Sequence, residues 1–232
     1  AASANPKMAC KGRLQRGIKD GIITYKQEDY PKDIGVYDIE CGRFSSPKDF
    51  PWQSDDRLED NITWCMVQNP KYKSAERIIH QLCDIVSKNG NLLLNVGPYA
   101  DGSFHPDAVR ILEEIGDWLA LNGEAIYETR PFKVAAEGPT TVDDANYDVG
   151  KIQEQLDKGD AVDVHSDTLT AQDFRFTTHG DALYAIAFGW PKDGEFRIRT
   201  LRKGGILDGE IKKVTMLGNE GELAFYRKED GL

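Results

Sequence analysis

The stretch that most constrains the fold covers residues 89–131 and reads NGNLLLNVGPYADGSFHPDAVRILEEIGDWLALNGEAIYETRP. Its run LLLNV predicts a short strand that is buried on both faces, as strands of a parallel sheet commonly are. Gly97-Pro98 predicts a sharp turn after this strand, and Pro106 suits the first turn of the helix that follows. Apolar residues then recur at helical spacing until an Asn-Gly pair ends the helix, and residues 124–129 read as extended chain. Strand, glycine-rich turn, helix and strand in this order indicate a parallel α/β sheet.

The segments before this stretch predict more of the same sheet. Residues 21–25 (GIITY) and 34–39 (IGVYDI) are β-branched and apolar runs that predict short strands. Residues 45–72 read as a long irregular loop, and a long loop in a compact domain commonly forms a functional site or the wall of one. Ser74 is a good N-cap for a helix that Asn89 and Gly90 would end.

The composition and the residue pattern of the sequence change after Pro131. Residues 133–168 are polar and acidic and predict a linker or a surface insertion. From Leu169 onward, short predicted strands with one solvent-exposed face alternate with turn signals, which is typical of an antiparallel sandwich. The candidate strands are 181–190, 195–201, 210–217 and 222–227.

Charge and cysteine content exclude several classes of protein. The chain has 39 acidic and 29 basic side chains and a net charge of −10, which argues against a nucleic acid or an anionic membrane surface as partner. It contains no apolar run long enough to span a bilayer. The four cysteines lie far apart without a C-x-x-C pair, so neither a zinc site nor a disulfide framework is indicated. Cys83 lies on the apolar side of a predicted helix and is expected in the core.

Glu40 is the candidate catalytic residue that the pattern itself offers. It directly follows the predicted strand 34–39, and barrel enzymes place their catalytic groups at this end of their strands. A glutamate at a strand end is equally compatible with a surface position or a structural salt bridge. Spacing alone therefore leaves both interpretations open.

Two blocks of sequence carry a family resemblance. GNLLLNVGPYADG, followed after one helix by NGEAIYETRPF, resembles the end of the catalytic barrel in α-L-fucosidases of glycoside hydrolase family 29. The resemblance implies an α/β part followed by an all-β part. Residues 1–131 would be the C-terminal portion of a (β/α)8-type barrel, and residues 132–232 an antiparallel β-sandwich that lacks its last strand. An incomplete barrel leaves strand edges unpaired, so we expect the chain on its own to aggregate.

The same resemblance implies a chemistry. Family members are retaining glycoside hydrolases that remove terminal α-L-fucose by double displacement, with one carboxylate as nucleophile and one as acid and then base. The block YDIECGRF lies where the family has its acid/base residue, so Glu40 resembles that residue. Cys41 stands where relatives often have an Arg. The nucleophilic Asp is expected upstream of this chain, because no segment before Glu40 resembles its motif.

A further block, PWQSDDRLEDNITWCMVQNPKYKSA, resembles the aromatic loop of the family. Trp64 resembles the aromatic residue that forms a wall of the fucose pocket, where a ring can pack on the apolar C–H face of the sugar. Cys65 and Met66 follow it where relatives often have His and Tyr, which suggests an altered substrate preference. Trp52 is a second candidate for this wall, or else an anchor that holds the loop to the rim of the barrel.

The resemblance also sets expectations for partners and location. It implies a fucosylated oligosaccharide or glycoconjugate as substrate, no cofactor, no metal, and a secreted or periplasmic location. His80 and His105 have no ligand partner at metal spacing, and His165 and His179 read as surface residues. Two alternatives stay open: an inactive carbohydrate-binding or structural fragment without a nucleophile, and a glycosidase for another sugar on the same scaffold.

Overall fold

The computed structural model describes residues 22–26, 35–60, 63–140 and 169–232. These residues form two sheets with two helices packed against them. The elements in chain order are β1 Thr24–Tyr25, β2 Val36–Glu40, β3 Trp52–Arg57, α1 Ala75–Ser87, β4 Gly90–Asn95, α2 Pro106–Asn122, β5 Arg130–Glu137, β6 Phe174–His179 and β7 Ala182–Ala187, with short 3-10 helices at Gly123–Ala125 and Arg199–Leu201.

The first sheet is parallel and has the strand order β1-β2-β3-β4. This confirms the predicted parallel sheet and the predicted strands at 21–25, 34–39 and 92–96, each within a few residues. The expectation of an irregular loop over 45–72 is wrong, because β3 lies inside that range. Its sequence WQSDDR does not show the apolar pattern of a strand. Its buried polar side chains are stabilised by hydrogen-bond partners that are distant in sequence.

Helix α1 begins and ends where its capping residues predict. The Ser74 hydroxyl accepts a hydrogen bond from the backbone N–H of Arg77 at 3.2 Å. After the last turn, Asn89 adopts a left-handed φ of 71°, which suits an asparagine next to glycine. The following Gly90 lies against the ring of Trp52, and a Cβ at Gly90 would come within 2.6 Å of that ring. The Asn-Gly pair therefore ends the helix and also lets β4 pass close to the core.

The helices cover one face of the parallel sheet only. Leu92 and Leu94 of β4 pack toward the helices, whereas Leu93 points to the opposite face and is 55% exposed. The prediction that this strand is buried on both faces is therefore wrong for the described residues, because none of them covers its second face. Neither described helix combines the length and apolar character that crossing a bilayer requires.

The chain does not return as an extended segment over 124–129, as the sequence suggested. A short 3-10 helix follows α2 directly, and the backbone N–H groups of Ile126 and Tyr127 both bind the Gly123 carbonyl. Ala125 and Ile126 are buried by this turn, which outweighs the β propensity of the segment. The next strand, β5, begins at Arg130. The expected boundary between residues 131 and 132 thus falls inside β5, and the division into two domains remains a prediction.

The second sheet is antiparallel with the order β5-β6-β7. Strand β7 confirms the alternating segment around 181–190. The other three predicted strands are wrong: residues 195–201 end in a 3-10 helix, and 210–217 and 222–227 share only the isolated bridge between Thr215 and Glu222. At the end of the first of these segments the Leu201 carbonyl accepts a hydrogen bond from the Arg227 side chain, which also donates to the carbonyls of Arg202, Leu207 and Gly209. Backbone carbonyls that bind this guanidinium group need no neighbouring strand.

A buried ion network joins helix α1 to the antiparallel sheet. The Asp84 carboxylate binds the Lys88 ammonium at 2.6 Å and the Arg175 guanidinium, on β6, at 2.6 Å. Next to it, Cys83 is fully buried, as its position on the apolar side of the helix predicts. Most of the acidic segment 133–168 lies outside the described residues.

Candidate active site

The uncovered face of the parallel sheet is polar along β2 and β3. Because side chains alternate along a strand, the residues next to the core residues Tyr37, Ile39 and Trp52 point away from α1. On β2 and β3 these residues are Asp38, Glu40, Gln53, Asp55 and Arg57. Glu40 pairs with Asp55 in the register of the two strands, so two carboxylates lie side by side at their carboxyl ends.

Lys26, directly after β1, binds this carboxylate pair. Its ammonium nitrogen lies 2.8 Å from Glu40 Oε2, 2.6 Å from Asp55 Oδ2 and 3.8 Å from Asp38 Oδ2. Glu40 therefore lies at the carboxyl end of a parallel strand and also forms a salt bridge. The salt bridge of the second interpretation is present, and a catalytic role for the same side chain stays a prediction.

The environment shifts the pKa of two groups in this cluster. Burial raises the pKa of Asp38, the charge of Asp55 raises it further, and the hydrogen bond from Gln53 offsets only part of this. Burial lowers the pKa of Lys26, but its hydrogen bonds to Asp55 and Glu40 outweigh burial and raise the pKa overall. The lysine is therefore held as an ammonium ion between carboxylates.

Trp64 lies above this cluster on the loop that follows β3. Its ring centroid is 5.8 Å from the Lys26 ammonium and 5.7 Å from the Arg57 guanidinium carbon, distances at which cations are attracted to an aromatic face. Its backbone carbonyl accepts a hydrogen bond from the Asn95 amide, at the end of β4, at 3.2 Å. Residues at the ends of β1, β3 and β4 thus fix one aromatic side chain over the polar face.

The Trp64 loop also lies tightly against the turn after β4. A Cβ at Gly97 would come within 2.5 Å of the Met66 backbone nitrogen and 2.8 Å of the Cys65 carbonyl carbon. The backbone N–H of Gly97 donates to the carboxylate of Glu59, which is fully buried, at 2.9 Å. Only glycine permits this close approach, so Gly97 helps to set the height of the loop above the sheet.

Arg57 lies beside Cys41. Its guanidinium Nη1 donates to the Cys41 sulfur at 2.9 Å, and Cys41 adopts a left-handed φ of 48° directly after Glu40. Burial, and to a lesser extent the charge of Asp56, raises the pKa of the Cys41 thiol to about 12, so the sulfur is a neutral thiol at physiological pH. A guanidinium group thus lies next to residue 41, where the family resemblance leads one to expect an Arg, but it comes from the neighbouring strand.

Trp52 is placed differently from Trp64. Its side chain is fully buried between the sheet and α1, in contact with Ile39 and Ile85, and its indole N–H donates to the Lys88 carbonyl at 2.9 Å. A ring in this position holds β3 to the helix. The geometry favours the interpretation of Trp52 as an anchor over that of a pocket wall.

The covered face of the sheet contains a second polar cluster beneath the site. The Asp56 carboxylate binds the Lys73 ammonium at 2.6 Å and the Gln81 amide at 2.8 Å, and all three side chains are buried. Burial raises the pKa of Asp56, but the charge of Lys73 and the hydrogen bonds from Lys73, Gln81 and the Arg57 backbone together outweigh it, and the net shift is downward. These bonds hold β3 against α1 and so keep Asp55 and Arg57 directed to the opposite face.

The sequence predicted Glu40 and Trp64 as site residues, and the structure places Lys26, Asp55 and Arg57, which were not predicted, beside them. A signal for the two residues of β3 was present, since Gln53, Asp55 and Arg57 alternate with residues that pack inward. The histidines lie elsewhere: His105 caps α2, His80 packs on the ring of Phe188, His179 is exposed, and His165 lies outside the described residues. Within the described ranges, no group of three His, Cys, Asp or Glu side chains is arranged to hold a metal ion.

Solved structures of similar fold include bacterial α-L-fucosidases. An α-L-fucosidase isoenzyme from Paenibacillus thiaminolyticus superposes with a TM-score of 0.65 at 19% identity, over 95% of this chain and 45% of that one. The Thermotoga maritima α-fucosidase in complex with fucose superposes with a TM-score of 0.56 at 21% identity, over 80% of this chain and 35% of that one. At these identities the similarity concerns the fold.

Sequence relatives carry the same name. Tissue α-L-fucosidase of Rattus norvegicus is 32% identical over 63% of this chain, and plasma α-L-fucosidase of Homo sapiens is 39% identical over 53%. The chain spans between a fifth and a quarter of the length of these two relatives. The family model of α-L-fucosidase matches residues 11–124, and that of the α-L-fucosidase C-terminal domain matches residues 166–232. Since these two models together account for most of its length, the chain belongs to the α-L-fucosidase family.

Proposed function

We propose that the protein containing this chain is a retaining glycoside hydrolase that releases terminal α-L-fucose from fucosylated oligosaccharides or glycoconjugates. The observation that supports this most directly is the position of Glu40: it lies at the carboxyl end of a parallel strand, on the uncovered polar face, with Trp64 above the same face. Parallel α/β barrels place their catalytic groups at this end of their strands. The four parallel strands are accordingly proposed to be part of a (β/α)8-type barrel, and residues 132–232 a β-sandwich domain.

In this proposal Glu40 is the acid/base residue. It protonates the glycosidic oxygen as a second carboxylate attacks the anomeric carbon, so that the C–O bond to the leaving group breaks and a covalent fucosyl-enzyme forms. Glu40, now ionised, removes a proton from water, which attacks the same carbon and releases fucose with its configuration retained. The nucleophile is proposed to be an Asp that precedes residue 1. Asp38 and Asp55 lie on the same face of the sheet as Glu40, and the Lys26 ammonium binds Glu40 and Asp55.

Trp64 is proposed to bind the sugar. A tryptophan face can pack on the C–H groups and the methyl group of fucose, and the ring is exposed enough to be reached. Cys65, the next residue, is exposed, and Met66 follows it, so two side chains of this edge differ from the His and Tyr frequent in relatives. We therefore expect a preference for leaving groups that differs from that of those relatives. Trp52 would support this wall indirectly, by anchoring β3.

The remaining expectations follow from the family. The reaction requires no metal and no organic cofactor, and neither nucleic acid nor membrane insertion enters the proposal. A secreted or periplasmic location is proposed, in keeping with a relative named plasma α-L-fucosidase.

Product stereochemistry tests the proposal. The intact protein would be incubated with an aryl α-L-fucoside, and the anomer released first would be identified by proton NMR before mutarotation. Retention predicts α-L-fucose as the first product, whereas β-L-fucose would refute double displacement. Hydrolysis of other aryl glycosides but not of the fucoside would favour another sugar specificity. Binding of fucose without hydrolysis of any glycoside would favour the inactive carbohydrate-binding alternative.

A further inference from the structure

Lys26 lies next to Glu40 and Trp64, the two side chains to which the proposed function assigns a role. Its ammonium nitrogen is 2.8 Å from the Glu40 carboxylate and 5.8 Å from the centroid of the Trp64 ring. Glu40 is on β2 and Trp64 is on the loop after β3, so Lys26 lies between side chains of two separate elements. Lys26 itself is on a third element, directly after β1.

The carboxylates around Lys26 fix its position. Asp55 Oδ2 lies at 2.6 Å and Asp38 Oδ2 at 3.8 Å, so the ammonium group is surrounded by negative charge on the side of the sheet. The centroid of the Trp64 ring lies 5.8 Å from the same nitrogen. Charge-assisted hydrogen bonds of this length are among the stronger polar contacts in proteins, and a cation over an indole face adds further attraction. These contacts restrain the ammonium group near the carboxylates and the ring.

We propose that Lys26 is a positioning residue that fixes the Glu40 carboxylate and the Trp64 ring relative to each other across the substrate site. It is not itself a catalytic residue, since its role is exerted through these two side chains. This inference rests on the proposed function and deepens it. Lys26 would set the distance between the Trp64 ring, which is proposed to bind the sugar, and the Glu40 carboxylate. It would also supply a positive charge next to that carboxylate.

Two separate effects on kinetics follow. Without the ammonium group, the Trp64 ring keeps its contact with Arg57 but loses the one with Lys26. The ring that is proposed to bind the sugar becomes less ordered, so KM rises. The Glu40 carboxylate also loses its nearest positive charge, while the carboxylates of Asp38 and Asp55 remain. Among the residues that the structure describes, the charged groups that face this site from the neighbouring strands are Asp38 and Glu40 of β2 and Asp55 and Arg57 of β3, and Arg57 is the positive one of these four. Removal of Lys26 therefore favours protonated Glu40, and the alkaline limb of kcat/KM, where the acid is lost, moves to higher pH.

The test compares Lys26→Met, Lys26→Arg and the control Lys192→Met in the intact protein, with an aryl α-L-fucoside as substrate. Lys192 is an exposed residue of the antiparallel part. We expect Lys26→Met to lower kcat/KM by about tenfold or more, with a higher KM. Its alkaline limb should move up by about one pH unit. Lys26→Arg keeps the charge and should retain the pH limb, and Lys192→Met should match the parent protein in all three quantities.

An unchanged KM and pH limb in Lys26→Met would overturn the inference, as would an equal shift of the limb in Lys26→Arg. If the parent protein hydrolyses no fucoside, the proposed function fails, and a second readout decides the fate of the inference by itself. This readout is the fluorescence contribution of Trp64, measured as the difference between the parent protein and its Trp64→Phe variant. Loss of Lys26 should change the emission maximum of that contribution, and an unchanged spectrum would overturn the proposed contact. The same spectrum of Lys26→Arg serves where Lys26→Met does not fold, and it should stay close to that of the parent protein.

Discussion

Asp84→Asn should destabilise the intact protein by about 3 to 5 kcal/mol, the cost typical of breaking a buried ion pair by removing one partner. Asp84 binds Lys88 and Arg175, and both basic side chains are only 1% exposed. The substitution leaves two buried cations without their shared carboxylate. Since Arg175 is on β6 and Asp84 on α1, the loss falls on the contact between the helix and the antiparallel sheet. Thermal unfolding followed by circular dichroism should show a decrease in Tm of the order of 10 °C.

The pH dependence of this loss can be derived from the same contacts. Burial raises the pKa of Asp84, but the charges of Lys88 and Arg175 outweigh it and the net shift is downward. A carboxyl group whose pKa is lower in the folded state stabilises fully above its unfolded pKa of about 3.9, and this contribution is lost as the pH falls through the folded pKa. The difference in stability between the parent protein and Asp84→Asn should therefore be constant near neutral pH and should shrink under strongly acidic conditions.

The control for this experiment is an exposed ion pair of the same spacing. Glu114 binds Arg110 at 2.6 Å, but the two side chains are 49% and 59% exposed. Glu114→Gln should change the free energy of unfolding by no more than about 0.5 kcal/mol. A decrease in Asp84→Asn no larger than that in Glu114→Gln would refute the reasoning, because it would mean that the buried network contributes no more than a solvated pair.

Further predictions concern the site loop and the cysteines. Trp64→Ala should raise KM for an aryl fucoside much more than it lowers kcat, because the ring is proposed to bind the sugar and not to react; an unchanged KM in steady-state kinetics would contradict this. Gly97→Ala should lower Tm, because the new Cβ would lie 2.5 and 2.8 Å from backbone atoms of the Trp64 loop. Gly116→Ala, in an open helical position, should instead raise the free energy of unfolding by about 0.5 to 1 kcal/mol. A higher Tm for Gly97→Ala than for Gly116→Ala would contradict this packing. Cys65 is exposed and should react readily with a thiol reagent, whereas burial of Cys83 raises its pKa to about 12 and should protect it until the protein unfolds; mass spectrometry of the labelled native protein distinguishes the two.

The elements that could be predicted from the sequence are those whose causes are local. Helix α2 has proline at its first position and an Asn-Gly pair at its end, and β2 and β4 are short apolar runs. Strand β3 escaped prediction because its inward polar groups are stabilised by Lys73 and Gln81, which are distant in sequence. The segment 195–201 alternates like a strand, yet alternation provides no neighbouring strand to pair with.

The same distinction applies to the candidate site. Glu40 and Trp64 could be proposed from local sequence, since one follows a predicted strand and both lie in blocks that resemble a family. Lys26 and Asp55 could not, because their relation to Glu40 depends on the parallel register of three strands. Arg57 meets Cys41 for the same reason. A single sequence carries no sign of which strands become neighbours.

The central claim is that Glu40 is the acid/base residue, and azide rescue of Glu40→Ala in the intact protein tests it most directly. With an aryl fucoside whose leaving group needs no protonation, the variant should form the fucosyl-enzyme and then lack the base that activates water. Azide, which needs no base, should restore turnover and give α-L-fucosyl azide, the retained product. Formation of β-L-fucosyl azide would instead identify Glu40 as the nucleophile. Turnover of Glu40→Ala equal to that of the parent protein would remove Glu40 from the mechanism.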